Sequence, residues 1–218
     1  MGKFIVLEGL DGSGKTTQTK YLAEYLRKNG KVRELSFPCY GEKSCTLVQM
    51  YLDGELGNDP AATNGYAASC FFAADRYISY VTDWKKDIDD PDCTVVATRY
   101  TTSNAYHQLS KLPREEWDSF LNWIFDFEFK KIGLPAPDEV VLLSMDPALS
   151  TKNVEIRSSE TGQKQDIHEK DPGYLLRSFE AAGYAAEKCG WHTVVCAPEG
   201  KMLSREEIFD RIKTELNI

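Results

Sequence analysis

The residues whose types and spacing most clearly carry chemistry lie near the N-terminus, in "EGLDGSGKTTQ" (Glu8–Gln18). There Gly9-x-x-x-x-Gly14-Lys15-Thr16 fits the pattern G-x-x-x-x-G-K-[ST]. Glycines at 9, 12 and 14 let the backbone turn tightly and bring its N–H groups against phosphate oxygens. A helix opening near Lys15 points its positive end at the same place. Lys15 then reaches the β- and γ-phosphates, and the Thr16 hydroxyl ligates Mg²⁺. The expected triphosphate-binding set is Gly9, Leu10, Asp11, Gly12, Ser13, Gly14, Lys15, Thr16 and Thr17, with Lys15 catalytic and Thr16 the metal ligand. No guanine-recognition N-K-x-D is present. Where a motor-type ATPase would carry an acid at a strand end, "TVVATR" has Thr98, and Asp146 is followed by Pro147. A kinase for a small substrate fits better.

Two further clusters could recognise an anion and a base. In "FFAADRYISY", helical spacing puts Ser69, Phe72 and Arg76 on one face. A ring to stack on beside a guanidinium suits a nucleobase; a core Phe72 and a surface Arg76–Asp75 pair would give the same pattern. In "ATRYTTSNAYHQ", Arg99 ends a predicted strand, where ligands bind in open α/β sheets. Ser103, Asn104 and Gln108 follow at the start of a helix. Arg99 reads equally as a structural salt bridge when taken alone.

The elements that must position these residues alternate. "KFIVLE" (Lys3–Glu8), "KVRELSF", "CTVVATR", "DEVVLLSMD" and "WHTVVCA" read as strands. Helices are expected at Lys15–Gly30, Thr63–Trp84, Pro113–Lys131, Pro172–Cys189 and Ser204–Leu216. That alternation predicts a five-stranded parallel sheet flanked by helices on both faces, an α/β fold in three layers. Gly54–Asn64 and Ser158–Asp171 read as loops. With no repeat and no linker composition, residues 1–218 read as one domain.

Composition narrows the class. A net charge of −8 argues against a nucleic-acid partner. The six cysteines show no paired spacing and read as reduced thiols of an intracellular protein. No stretch suits a secretion signal or a membrane helix, so a cytoplasmic location without membrane contact is expected.

Taken together, these motifs make the sequence resemble the thymidylate kinase family. Glu8–Thr17 matches its phosphate loop, E-G-x-D-G-x-G-K-[ST]-[ST]. Phe72–Arg76 matches an F-x-A-x-R-like helix, and Arg99, Tyr100, Ser103 and Gln108 match part of D-R-[YH]-x-x-S…Q. Phe37-Pro38 and Pro137-Asp138 also fit, so the likeness runs the length of the chain. The resemblance implies a P-loop NTPase fold and the reaction ATP + dTMP → dTDP + ADP, Mg²⁺-dependent, with a homodimer usual. It implies that Asp11 meets the sugar 3′-hydroxyl, Phe72 stacks on thymine, Arg76 bonds the thymine edge and Arg99 holds the acceptor phosphate. Ser103, Asn104 and Gln108 complete the substrate set. A lid around residues 152–171 would bring a cation to the transferring phosphoryl group. Family members without an arginine in the loop take it from there, and Gly12 fills the loop position here. Arg157 is the expected catalytic lid residue, Lys164 the alternative, and pairing of Arg157 with Glu155 or Glu160 the inert reading.

The sequence departs from the family pattern at three points. Thr98 stands where an Asp usually contacts Mg²⁺ through water, leaving Asp11 or Glu8 to compensate. "FPCYGEK" lacks the expected Arg, leaving Lys43 or Tyr40 near the phosphate. The aromatic near the glutamine, Tyr106, comes one position early. A kinase for another deoxynucleoside monophosphate or a deoxynucleoside is the alternative, and a nucleotide-dependent switch the reading from another class. His168 reads as a solvated, cap-forming end of the lid rather than a metal ligand with Asp166 and Asp171. Asp87–Asp92 reads as a plain acidic loop.

Overall fold

The computed structural model describes residues 2–161, 167–168 and 171–218, apart from the side chains of Arg157, Glu160 and Thr161. In chain order the elements begin β1 (Phe4–Glu8), α1 (Lys15–Leu26), β2 (Lys31–Ser36), α2 (Thr46–Leu52), α3 (Gly65–Ser79) and α4 (Lys85–Asp89). Then come β3 (Cys93–Thr98), α5 (Thr101–His107), α6 (Trp117–Phe125) and β4 (Glu139–Ser144). The chain ends with α7 (Pro147–Thr161), α8 (Pro172–Cys189), β5 (His192–Val195) and α9 (Arg205–Leu216).

The five strands form one parallel sheet in the order β2-β3-β1-β4-β5. β1 is its centre, with Val6 opposite Ala97 on one side and Val140 on the other. Its five residues are all buried, as a strand covered on both faces requires. Alternation sends Phe4 and Val6 into a cluster with Leu35, Trp84, Val95 and Tyr100. Ile5 and Leu7 go to the opposite face, against Leu22, Leu143, Ile208 and Ile212. A third cluster, around Ala105, Phe120, Leu121 and Ala182, joins α5, α6 and α8. The α/β sheet expected from the sequence is therefore the observed one.

The helices are less regular than periodicity predicts. The Thr63–Trp84 stretch is α3 followed by a π-helical turn at Tyr80–Trp84, and Pro113–Lys131 is α6 with a π-helical turn at Asp126–Lys131. The larger difference is α7, which runs to Thr161 through the beginning of the segment read as a polar loop. Its start is signalled by Pro147 and by the Asp146 carboxylate accepting from the Ala148 N–H at 2.8 Å. It lacks a continuous apolar stripe, because polar contacts seat it on the phosphate loop. Ser150 Oγ donates to Asp11 O, and Asn153 Nδ2 to Gly12 O at 3.0 Å. Among the described residues, no helix is long and apolar enough to cross a membrane.

Candidate active site

A cavity of about 1280 Å³ opens at the C-terminal edge of the sheet. Its wall is shared by the loop after β1 (Asp11 to Thr17), by Phe72 and Arg76 of α3, and by Thr98, Arg99, Ser103, Asn104, His107 and Gln108 at the end of β3 and beyond it. Parallel strands deliver their C-terminal loops to one edge, so motifs nearly a hundred residues apart meet there.

The phosphate loop has the backbone its glycines allow. Gly14, at φ 89°, caps α1 in a left-handed conformation, and among the described residues nothing beyond its immediate chain neighbours lies within 4 Å of where a Cβ would stand. Gly12 is confined for the opposite reason. A Cβ there would lie 2.4 Å from Ser150 O, so α7 leaves no room for a side chain at that position. Lys15 is buried and donates from Nζ to Gly9 O at 2.8 Å and Leu10 O at 2.7 Å. Thr16, exposed at the start of α1, lines the cavity. Ser13 Oγ is buried without a hydrogen-bond partner among the described residues.

Arg99 is the hub of the opposite wall. Its Nη2 donates to Asp11 Oδ1 at 2.6 Å, and its Nη1 to His107 Nε2 at 3.0 Å. Ser103 Oγ and Tyr106 OH each lie 3.4 Å from Nη1. Burial alone would raise the Asp11 carboxyl, but Arg99 and Lys15 beside it hold it well below the usual carboxylate range. Burial, then the Arg99 charge, push His107 well below the usual imidazole value, so the ring is neutral and accepts at Nε2. Of the two acids considered in place of Thr98, Glu8 is fully buried. It accepts from Tyr100 N, Thr102 Oγ1, Ser103 Oγ and Tyr106 OH at 2.6–3.0 Å. Asp11 is the one that faces the cavity. Thr98 Oγ1 pairs with Thr19 Oγ1 at 2.8 Å.

Phe72, Arg76, Ser103, Asn104 and Gln108 all line the cavity. Arg76 is no surface partner of Asp75. It is buried, with Nε and Nη2 on the Glu128 carboxylate at 2.8 and 2.6 Å. Asp75 instead accepts from Cys39 N and Ser44 Oγ, which ties the "FPCYGEK" turn to α3. In that turn Tyr40 lines the cavity and Lys43 does not. Asn104 Nδ2 approaches Ser69 O at 3.4 Å, and both amide atoms of Gln108, a fully buried residue, lack partners among the described residues.

The lid segment departs from its solvated reading at His168. That ring is buried, 2.6 Å from Tyr51 OH and stacked on Tyr174 and His107. Ring packing against α2, α5 and α8 displaced the solvated position that its polar neighbours suggested. Asp171 does cap α8, accepting from Tyr174 N. The Arg157 side chain, Lys164 and Asp166 lie outside the described residues, while Asn153 and Ile156 of α7 line the cavity. Among the described residues, no group of three His, Cys, Asp or Glu could hold a metal ion.

Sequence reasoning did not single out Glu128, His107 or Tyr51. A lone acid between Phe127 and Phe129 was the available sign of a buried partner for Arg76. Comparison with known proteins agrees with this geometry. Residues 7–205 match the family described as thymidylate kinase. A thymidylate kinase of Mycobacterium tuberculosis is 31% identical over 192 residues, covering 86% of each chain. A probable thymidylate kinase of Methanococcus maripaludis is 33% identical over 171 residues, covering 78% of this chain and 74% of its own. A phosphate loop facing an arginine and an aromatic-lined wall across one cavity, within a match of that extent, leaves one assignment: the chain belongs to the thymidylate kinase family.

Proposed function

We propose that this chain transfers the γ-phosphoryl group of ATP to dTMP, giving dTDP and ADP. The observation that carries the reading is the single cavity whose walls hold both the phosphate loop and the Phe72–Arg76–Arg99 set. Gly9 to Thr17 cradle the triphosphate, and Lys15 neutralises its β- and γ-oxygens. Arg99 offers two donors to the acceptor phosphate, and Asp11 meets the sugar 3′-hydroxyl. Phe72 stacks on the base. Arg76 donates only, so it suits a base edge that presents a carbonyl, as thymine does, and not an exocyclic amine. Ser103, Asn104 and Gln108 bound the same pocket. No covalent intermediate forms, because alignment and charge neutralisation supply the catalysis.

The donor set around the loop fits Mg²⁺. Asp11 and Thr16 line the cavity, and their carboxylate and hydroxyl oxygens are the ligand type a hard cation takes. Bound with ATP, Mg²⁺ would neutralise charge on the β- and γ-phosphates, and Thr16 and Asp11 are the residues to hold it. Residues 1–218 act as one domain, with a lid over 152–171 that supplies Arg157 to the transferring phosphoryl group. The closed loop position at Gly12 supports a cation from outside the loop. A cytoplasmic homodimer without nucleic-acid partners completes the reading, in keeping with the net charge of −8.

A coupled assay across dTMP, dUMP, dCMP, dGMP and thymidine tests it. Rapid ATP consumption with dTMP, lost on chelating Mg²⁺, is expected. Preference for another acceptor, or slow hydrolysis indifferent to all of them, overturns the dTMP reading. In the same assay, Arg157→Ala should lose at least about a hundredfold in kcat. A greater loss in Lys164→Ala would move the lid role to that residue.

A further inference from the structure

Tyr106 stands at the joint between the two halves of the site. Its ring belongs to the cluster with Leu10, Leu109 and Phe120, where a phenylalanine would pack as well. Its hydroxyl is what sets it apart. It lies 2.9 Å from Glu8 Oε2 and 2.9 Å from Gly9 O, while the Gly9 N–H donates to it at 3.3 Å. Arg99 Nη1 approaches it at 3.4 Å. A phenol has one proton to give and two lone pairs to fill, so Glu8 and Gly9 O share the proton while Gly9 N–H and Arg99 take the lone pairs. Burial and the adjacent Glu8 charge keep that proton in place far above neutral pH.

Gly9 opens the loop that cradles the donor phosphates, and Arg99 is the fork for the acceptor. Asp11 grips the Nη2 end of that fork. The Nη1 end rests on uncharged groups, His107 Nε2, Ser103 Oγ and Tyr106 OH, and both hydroxyls are anchored on Glu8. Thr98, beside Arg99, is engaged with Thr19 and takes no part. We infer that Tyr106 is a positioning residue for phosphoryl transfer, its hydroxyl fixing the phosphate loop and Arg99 in register. The inference rests on the kinase reading and adds a residue that reading does not use. Because near-attack alignment enters kcat steeply, loss of the hydroxyl acts on turnover before binding.

Two single-hydroxyl deletions test this. Tyr106→Phe and Thr102→Val each remove one donor to Glu8 and keep the side-chain shape, since Thr102 Oγ1 lies 2.6 Å from Glu8 Oε1. Only Tyr106 also touches Gly9 and Arg99. Tyr106→Phe should lower kcat about tenfold or more, with KM for both nucleotides within about threefold of wild type. Thr102→Val should keep kcat within about twofold. An unchanged kcat in Tyr106→Phe, a change confined to KM, equal losses in both variants, or a Tyr106→Phe chain that does not fold would each overturn the proposal. A wild type that turns over no nucleotide acceptor rejects the kinase reading along with it; a normal wild type beside an unaffected Tyr106→Phe rejects the positioning role alone.

Discussion

Arg99 has φ 65°, a left-handed backbone conformation that costs a non-glycine residue about 1–3 kcal/mol. Such strain persists only where its surroundings fix it, and here Arg99 N donates to Leu7 O at the end of β1. The bent backbone turns the side chain across the cavity toward Asp11. A guanidinium can hold Asp11 and His107 at once and still present a planar edge to a phosphate, which a lysine cannot. Arg99→Lys should therefore lose about tenfold or more in kcat/KM for dTMP while circular dichroism and Tm stay near wild type. A value within about threefold of wild type would remove Arg99 from the phosphate site. The residue type and strand-end position were legible in the sequence. The strained φ and the partners were not, because both depend on how β1 and β3 pair.

At the scale of elements, α2, α5, α8 and the end of the lid segment meet around His168. Tyr51 OH lies 2.6 Å from its Nε2, and Lys111 Nζ donates to that same hydroxyl at 2.7 Å. Tyr174 stacks on the ring at 4.6 Å and His107 at 5.6 Å. Ile167 beside it is buried with Val48 and Leu52, and its N–H reaches Leu52 O. Burial first, then the Lys111 charge, push His168 down to about 3, against about 6.5 in an unfolded chain. The unfolded state then binds the extra proton, so stability falls as pH drops from about 6.5 toward about 3. Burial also lowers Lys111 to about 7, but its effect, a rise in stability between about pH 7 and 10.5, leaves the acid side untouched. Tm measured from pH 7.5 to 4.5 should decline, and His168→Asn should make the decline shallower, the remainder coming from His107 and, near pH 4.5, from paired carboxylates such as Glu139. An identical slope in the variant would place His168 in solvent. A histidine among polar neighbours gives no sign in the sequence that a tyrosine over a hundred residues earlier will cover it.

For the whole molecule, the outer face of α3 carries an exposed apolar stripe. Tyr77 and Ile78 of α3 and Val81 of the following turn are exposed apolar side chains at helical spacing. They support the proposed homodimer, since a second copy laying the same stripe against this one would cover both. Sedimentation velocity should find a dimer, and Ile78→Asp should shift it to monomer without lowering activity per folded chain by more than about twofold. A wild-type monomer at all concentrations would reject the dimer.

By itself the sequence determined the phosphate loop, the strand–helix alternation and the order in which Phe72, Arg76 and Arg99 follow it. These depend on local rules: glycine conformations, apolar runs, and the spacing of residues on one helix face. Only the tertiary structure decided that Arg76 is gripped by Glu128, that Asp75 serves the neighbouring turn, that α7 closes over Gly12 and that Tyr106 joins the two halves of the site. Each of those pairings satisfies a buried polar group with a partner distant in the chain or confines a backbone by close approach. The choice among partners is made by packing the sheet and its helices, which no local pattern encodes.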